Sequence, residues 1–562
     1  MQRLHSPSPS FCARRFPRVL LPLFALAAAI LSAMPAAACT SILVTRGASA
    51  DGSVMITAAG DSAGGFATMG VLPAADHKPS EMITVEAGCE DEVKNIGGKI
   101  PQVPHTCQVL AGLINEHQLA LSETTFGGRK ELLNPQGMLR YGFLMQLALQ
   151  RARTAREAIT VMTKLVAEFG YADEGESISI ADTKEAWILE IVGTGAGGKG
   201  AVWAACRVPD GHVSCHANQS RIAEIPRDDP TNWLFSENVE SFAVKHGWYD
   251  PKSGQPFRFF EAYCPPLPMQ RRICDSRVWS ILRRAAPSQH LAPDYYRGKP
   301  GSSPYPLSLR PDHKLSVADV MTLMRDHYEG TDFDMTKGVD AGPFGAPTRW
   351  RPLAWKVDGV DYAWERPIST QQTAFSSITQ SRAWLPDAIG GLVWYGMDDS
   401  YTSCYLPFYC CIDAVPKSFA AGTIQRFSWD SAWWVFNVAT NLAYTKYCYI
   451  TPEIQAVQRE IESTMLALQG PVEKTALELS KTSPNLMVRF LTDYCVSHGD
   501  LTMARWQALV EHLLTKYNDG YIRDPQGKYP DVGYPEAWLR RVLKERPEQF
   551  KLPVEKPKDK PH

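Results

Sequence analysis

The segment that ends at Cys39 constrains this chain more than any other part of its sequence. Residues 14–18 are basic, residues 19–31 form an apolar run, and Ala36-Ala37-Ala38 lead directly into Cys39. This order is typical of a secretory signal peptide with an A-x-A cleavage site. Cleavage after Ala38 gives a mature chain that begins with cysteine.

A terminal cysteine carries a thiol and a free α-amine on one residue. An α-amino group has a reference pKa of about 7.7–8.0, so a useful fraction is unprotonated at neutral pH and can serve as base for the thiol. A lipoprotein signal also ends in cysteine, but it normally has Leu where this chain has Ala36. The sequence favours a nucleophilic Cys39 and leaves a lipid anchor or an ordinary buried cysteine as alternatives.

Size and charge exclude several classes of function. The chain has 562 residues and a net charge of −2. Its first 38 residues hold four arginines and no acid, so the mature chain carries about −6, spread along its length without the basic face of a nucleic-acid-binding protein. Outside the signal, no apolar run approaches the roughly 18–20 residues of a membrane span. We expect an exported protein, periplasmic or secreted, without an integral span; its oligomeric state is open.

The chain offers no motif for a metal or a cofactor. It lacks C-x-x-C, and Cys410-Cys411 is a poor spacing for zinc. Disulfide pairing among its cysteines cannot be read from sequence. The loop GTGAGGKG at 193–200 resembles a phosphate-binding loop, but Gly200 replaces the Ser or Thr, and a strand rather than a helix is predicted after it.

Hairpins and helices alternate along the first 220 residues. Turn residues between β-prone runs predict hairpins at 40–59, 177–193 and 201–219. Residues 107–126 are predicted to form strand, turn and strand, and residues 135–169 have helical spacing. The mixture indicates an α+β fold with Cys39 at the start of a strand.

The rest of the sequence is less regular. Residues 226–310 are expected to be irregular, and late strands are predicted within 389–412. A helix is predicted over 450–470, from Thr451 as N-cap to Gly470 at its end. We therefore divide the chain into a signal peptide at 1–38, a domain at 39–450, a helical region at 451–548 and a disordered tail at 549–562.

Polar residues near predicted strand ends are candidates to assist Cys39. Asp61 would orient its amine, and Asn115 and Asn218 would donate to the oxyanion of a tetrahedral intermediate, although turn asparagines are common. Arg221 and Arg277 are candidates for binding a substrate carboxylate, or are surface arginines.

Six segments together resemble a known family. They are CTSILVTRGASADGSVMIT at 39–57, NEHQLALSETTF at 115–126, GESISIADTKEAWILEI at 175–191, CHANQSRI at 215–222, DSRVWSILR at 275–283 and FSWDSAWWVFN at 427–437. The chain resembles the cysteine dipeptidases of the dipeptidase A type, relatives of the secernins. These belong to the N-terminal nucleophile hydrolases, alongside penicillin V acylase and bile salt hydrolase.

The resemblance implies a four-layer αββα sandwich, with a helical C-terminal extension here, and the hydrolysis of dipeptides. It implies that Cys39 is nucleophile and base and that Asp61 holds its amine. Asn115 and Asn218 would form the oxyanion hole and place the substrate, and Arg277 would complete the network.

The chain departs from many relatives at Ala58, where they carry an arginine. The missing cation should raise the thiol pKa and alter substrate preference. Glu116, Glu123 and Glu176 are candidates for binding a substrate ammonium. Two alternative functions remain: an N-acyl amide hydrolase of the same fold, and a lipid-anchored binding protein without catalysis.

Overall fold

The computed structural model describes residues 39–62, 64–90 and 93–552. The predicted signal peptide and the end of the predicted tail lie outside these ranges. Helices and strands both run through the described chain, which confirms the predicted mixture of α and β structure. None of the helices in the described ranges combines the length and the hydrophobicity that a membrane span requires.

The strands of the described residues are short in the first hundred residues and longer afterwards. In chain order they are β1 (Ser41–Val44), β2 (Val54–Asp61), β3 (Val71–Leu72), β4 (Ala75–Asp76), β5 (Met82–Val85), β6 (Gly88–Glu90), β7 (Val93–Asn95), β8 (Gly98–Pro101), β9 (His105–Thr106), β10 (Val109–Leu110), β11 (Ile114–Asn115), β12 (Ala120–Thr125), β13 (Gly175–Ala181), β14 (Ala186–Val192), β15 (Val202–Arg207), β16 (Val213–His216), β17 (Trp233–Phe235), β18 (Ser308–Leu309), β19 (Ala354–Val357), β20 (Val360–Ala363), β21 (Thr373–Ser381), β22 (Leu392–Met397) and β23 (Leu406–Tyr409).

The helices of the same residues are longest near the C-terminus. They are α1 (Tyr141–Arg151), α2 (Ala155–Phe169), α3 (Ser241–Lys245), α4 (Phe259–Tyr263), α5 (Pro268–Gln270), α6 (Ser276–Ala285), α7 (Val317–Leu323), α8 (Asp387–Gly390), α9 (Ala432–Ala443), α10 (Tyr447–Thr482), α11 (Pro484–Lys516) and α12 (Glu536–Glu545).

Most of the described strands join two antiparallel sheets. One has the order β18-β16-β1-β2-β21-β22-β23 and the other β17-β15-β14-β13-β12-β11-β10-β3. The hairpin predicted at 40–59 is confirmed, because β1 pairs with β2. Asp51 forms part of its turn, where Oδ1 accepts the backbone N–H of Ser53 at 2.9 Å, and the following turn residue, Gly52, has a φ of +82°.

The other two predicted hairpins have opposite outcomes. The one at 177–193 is confirmed by β13 and β14, and Asp182 Oδ1 accepts the backbone N–H groups of Lys184 and Glu185 in its turn. The one at 201–219 is wrong, because β15 and β16 lie in different sheets. Asp210 in this turn accepts the backbone N–H of Gly47 at 2.7 Å, and β16 pairs with β1.

A buried polar seam joins the two sheets beside β1. Ser41 Oγ lies 3.0 Å from Ser122 Oγ and 2.8 Å from Ser179 Oγ. The ring of His216 is 2.7 Å from both Ser179 Oγ and Thr124 Oγ1. Burial lowers the pKa of His216 to about 3, so the ring is neutral at pH 7 and bridges the sheets as a hydrogen-bonding group.

Apolar helix faces pack on both sheets. Leu144 of α1 and Ile159 of α2 are buried with Ile178 of β13. On the other sheet, α9 and α11 pack against β22 and β23, and Trp506 of α11 stacks on Phe436 of α9 with ring centroids 4.4 Å apart. Full burial of such side chains contributes about 1.5–3 kcal/mol each.

Two helices correct the sequence predictions. Helix α6 lies in the region expected to be irregular, and it carries Arg277. Helix α10 continues through Pro452, Gly470 and Pro471 instead of ending at Gly470. Its apolar face packs along α11, and tertiary packing of this kind outweighs local helix-breaking signals. The predicted domain boundaries stay predictions.

We expect Trp506→Ala to lower the free energy of unfolding by about 3–5 kcal/mol, because a large buried ring is removed from between α11 and α9. Leu514→Ala, at a 45 % exposed position on the same helix, should change it by less than about 0.5 kcal/mol. Denaturant unfolding of both variants measures this. Equal losses would show that the stacking of Trp506 on α9 does not anchor α11.

Candidate active site

Cys39 lies two residues ahead of β1 and is only 3 % exposed. Its thiol donates a hydrogen bond to Glu123 Oε1, with Sγ 3.3 Å from the oxygen. Its backbone carbonyl accepts a hydrogen bond from Arg277. The nucleophile candidate is therefore held between β12 of one sheet and α6 beside the other.

Arg277 is fully buried, and it uses all five of its N–H groups. Nη1 donates to the carbonyl of Cys39 at 2.7 Å and to Thr40 Oγ1 at 2.8 Å. Nη2 donates to the carbonyl of Ala217 and to Asn218 Oδ1, and Nε donates to the carbonyl of Ile273. Burial lowers the pKa of Arg277 to about 10, so it stays charged at neutral pH.

Two guanidinium groups fix the orientation of Asn218. Arg277 Nη2 is 2.8 Å and Arg366 Nη1 is 3.2 Å from its Oδ1. The oxygen must face these donors, so Nδ2 points the other way and donates to the carbonyl of Thr125 at 2.7 Å. Asn218 also has a φ of +60°, a left-handed conformation that asparagine tolerates better than most residues.

Asp61 ends β2 at a register shift, opposite Thr373 of β21. The carboxylate is fully buried and accepts hydrogen bonds from Thr373 Oγ1 at 2.6 Å and Arg366 Nη2 at 2.5 Å. Burial raises the pKa of Asp61, while Arg366 and Thr373 oppose that effect. The guanidinium of Arg366 thus contacts this carboxylate.

Glu123 and Glu176 form a buried carboxyl pair on β12 and β13. Burial and the charge of Glu123 raise the pKa of Glu176 well above its usual value. Protonated Glu176 then donates a hydrogen bond to Glu123, which accounts for two buried oxygens, Glu123 Oε2 and Glu176 Oε1, that have no other partner. Glu123 Oε1 is the oxygen of this pair that faces the thiol.

The environment of Cys39 favours the protonated thiol. Burial raises the pKa of Cys39 well above its usual value, and the charges of Glu123 and Asp61 raise it further. The backbone N–H of Asp61 hydrogen-bonds to the sulfur and partly opposes them. A base is needed to generate the thiolate, and a peptide-bonded nitrogen at Cys39 cannot provide it.

Asn115 is not brought to this group of residues. Its Nδ2 donates to the carbonyls of Leu149 and Ala152 at the end of α1, at 2.8 and 2.7 Å. Its Oδ1 accepts the backbone N–H groups of His117 and Leu119. Both amide hydrogens already have acceptors, so Asn115 does not make the expected oxyanion contact. Its side chain instead links the turn after β11 to the end of α1.

Other sequence candidates also take local roles. Arg221 donates to the carbonyls of Cys215, Tyr305 and Pro306. Glu116 Oε1 accepts the backbone N–H of Gln108. The glycine-rich loop at 193–200 joins β14 to β15, and no helix begins after it, as its sequence predicts.

Arg366 and Thr373 are the residues that sequence reasoning missed. Arg366 contacts Asp61 across 305 residues of sequence, so no local spacing connects them. Glu123 and Glu176 were two of three acidic candidates, and the structure separates them from Glu116. In the β12–β13 pair, Glu176 lies opposite Thr125, two residues from Glu123. This proximity can be recognised only once the register of the two strands is known.

A comparison with protein families identifies the class. The model of Peptidase family C69 matches residues 38–460, more than half of the chain. The chain belongs to Peptidase family C69, a family of peptide hydrolases.

The names of similar proteins agree with this class. A probable dipeptidase of Salmonella dublin is 29 % identical over 392 residues, which cover 66 % of this chain and 81 % of that protein. A probable dipeptidase of Latilactobacillus sakei is 26 % identical over 422 residues, covering 73 % and 82 %. A probable dipeptidase A of Streptococcus pyogenes is 25 % identical over 452 residues, covering 78 % and 90 %.

We expect Asn115→Ala to lower the free energy of unfolding by at least about 3 kcal/mol, because it leaves buried carbonyl and N–H groups without partners. Asn518→Ala, at an exposed position, is the control and should be nearly neutral. Thermal and urea unfolding measure both. An unchanged stability in Asn115→Ala would contradict the bracing role.

Proposed function

We propose that this protein is an exported thiol dipeptidase that matures by cleavage between Ala38 and Cys39. Membership in Peptidase family C69 and the names of its relatives support hydrolysis of dipeptides. The observation that carries the proposal is the position of Cys39: its thiol contacts Glu123, and its carbonyl is held by Arg277. Cleavage would turn its backbone nitrogen into the amine that the thiol needs as base.

The fold that we assign is the four-layer αββα sandwich of N-terminal nucleophile hydrolases. Its support is the contact between the two sheets through Ser41 and His216, together with helices packed on each sheet. This arrangement puts the N-terminal strand in the interior. A nucleophile at its start then lies at the end of both sheets.

The reaction follows from the groups around Cys39. The α-amine takes the thiol proton, and Sγ attacks the carbonyl carbon of the substrate's peptide bond. When the C–N bond breaks, the proton passes to the leaving nitrogen, and the C-terminal amino acid departs. Water, deprotonated by the same amine, attacks the thioester, so that the second amino acid and the free thiol are released.

Asn218 is the side chain that we assign to the oxyanion. One of its amide hydrogens binds the Thr125 carbonyl, and the second is the proposed donor to the developing charge. Arg277 and Arg366 keep this amide in one orientation, which provides the preorganisation that such a donor requires.

Glu123 is the group that we assign to the free terminus of the substrate. The α-nitrogen of a dipeptide is two bonds from the carbonyl carbon that Sγ attacks. A carboxylate 3.3 Å from Sγ is therefore near the substrate ammonium as well. This placement favours free dipeptides over N-acyl substrates, whose blocked nitrogen carries no charge.

Cys39→Ala should remove hydrolysis of a panel of free dipeptides, because the only proposed nucleophile is lost. Cys448→Ala, which alters an exposed thiol, should retain activity within about twofold. Assays of both purified variants measure this. Full activity in Cys39→Ala would refute the mechanism, and faster turnover of N-acyl amino acids than of dipeptides by the native protein would refute the substrate class.

Glu123→Gln should lower kcat/KM for free dipeptides by about 10- to 100-fold, since a hydrogen bond to a charged group contributes about 1.5–3 kcal/mol. Activity toward N-acetylated dipeptides should fall less, because they lack the ammonium. Glu131→Gln, at an exposed site, is the matched control. An equal fall for both substrate types would mean that Glu123 does not recognise the ammonium.

Asn218→Gly should lower kcat by about 10²–10³-fold, the effect of removing one oxyanion donor. Glycine is chosen because it adopts the φ of +60° without strain. The variant therefore removes the side chain without destabilising the backbone conformation. Steady-state kinetics would test it. A change in KM alone would assign Asn218 to substrate binding instead.

A further inference from the structure

The turn between β11 and β12 brings together three side chains that the proposed catalysis does not use. Strands β10 and β11 pair Val109 with Asn115, and the backbone N–H of Glu116 continues the ladder by donating to the carbonyl of Gln108 at 3.1 Å. Extending this register by one more residue sets Cys107 opposite His117. Directly opposed residues in an antiparallel pair have side chains within contact distance.

Cys107, Glu116 and His117 converge at this turn. A thiol sulfur, a carboxylate oxygen and an imidazole nitrogen from the three residues all lie within 4.8 Å of one another. Cys107 is buried, whereas Glu116 and His117 are half-buried, so the group is reachable from solvent on one side. It is the one such triad found among the residues that the structure describes.

The backbone under these side chains is braced. Asn115 Oδ1 accepts the N–H of His117, and its Nδ2 ties the turn to the carbonyls at the end of α1. The backbone N–H of Cys107 donates to the carbonyl of Gln150, also in α1, at 2.9 Å. The side chains therefore project from a fixed framework, as a preorganised ligand set must.

The carboxylate of Asp387 lies beside the imidazole of His117. Asp387 Oδ2 lies 3.6 Å from His117 Nδ1. Its other oxygen, Oδ1, accepts from Gln118 at 3.0 Å, which fixes the carboxylate beside the ring. Asp387 is at ion-pair distance from the ring, and metal-binding histidines commonly have a carboxylate nearby that orients the ring and strengthens it as a ligand.

We propose that Cys107, Glu116 and His117 form a zinc site, separate from the proposed catalytic centre. Thiolate, imidazole and carboxylate are the ligand types of Zn²⁺, and three protein ligands leave a fourth position for water. Calcium and magnesium prefer oxygen ligands alone. On binding, Zn²⁺ replaces the thiol proton, which is released to solvent, and the thiolate and Glu116 together balance its two positive charges.

The spacing of the three residues explains why they match no zinc motif. Glu116 and His117 are adjacent in sequence just after β11, and Cys107 lies in the segment between β9 and β10. The site depends on the register of β10 and β11, and no C-x-x-C pattern is involved.

Metal loading of the full chain tests the proposal, with Cys39→Ala as the parent so that the thiol of the proposed catalytic centre cannot contribute. After chelation and reloading, elemental analysis should find one Zn²⁺ per chain, and Co²⁺ should give a thiolate-to-metal charge-transfer band. Adding Cys107→Ser should abolish that band, whereas adding Cys448→Ser should leave it unchanged. Less than half a zinc per chain, or a band that survives Cys107→Ser, would overturn the site.

Glu116→Gln provides a second test that does not depend on removing the buried thiol. Gln retains an oxygen for the N–H of Gln108 but lacks the negative charge. Zinc affinity should fall at least tenfold, while thermal unfolding of the metal-free protein stays the same. Unchanged affinity would exclude Glu116 as a ligand and overturn the proposed site.

Discussion

The buried guanidinium of Arg277 is the constraint on which the rest of the site depends. Its five N–H groups hold the carbonyl of Cys39, the hydroxyl of Thr40 and the side chain of Asn218, and they also bind two further carbonyls. These contacts fix the start of β1 against the end of β16. A buried cation with every donor satisfied is costly to displace, so the position of the thiol is set before any substrate arrives.

The charges around Cys39 explain why maturation and activation coincide in the proposed mechanism. Glu123 and Asp61 surround a buried thiol with negative charge, which keeps it protonated while its nitrogen remains in a peptide bond. Release of an α-amine at the same residue would add both a base and, when protonated, a cation. Burial and the charge of Glu123 raise the pKa of Glu176 well above its usual value, which makes Glu176 the less acidic member of this pair.

The sequence predicts elements whose signals are local, and it misses relations that depend on folding. The hairpins at Asp51 and Asp182 are confirmed because turn residues determine them, and Cys39, Asp61, Asn218 and Arg277 do lie together. Asn115 could not be separated from Asn218, since both are asparagines at strand boundaries and only their hydrogen-bond partners distinguish them. Arg366 could not be found at all, because its contact with Asp61 exists only after β2 and β21 pair. The hairpin predicted around Asp210 is wrong for the same reason, because tertiary contacts decide that β16 pairs with β1.

The intact mass of the active protein after export, together with sequencing of its N-terminus, decides whether cleavage activates Cys39. We expect a chain that begins at Cys39 with an unmodified amine and has lost residues 1–38. An active protein that retains residues before Cys39, or one whose Cys39 carries a lipid, would contradict this expectation.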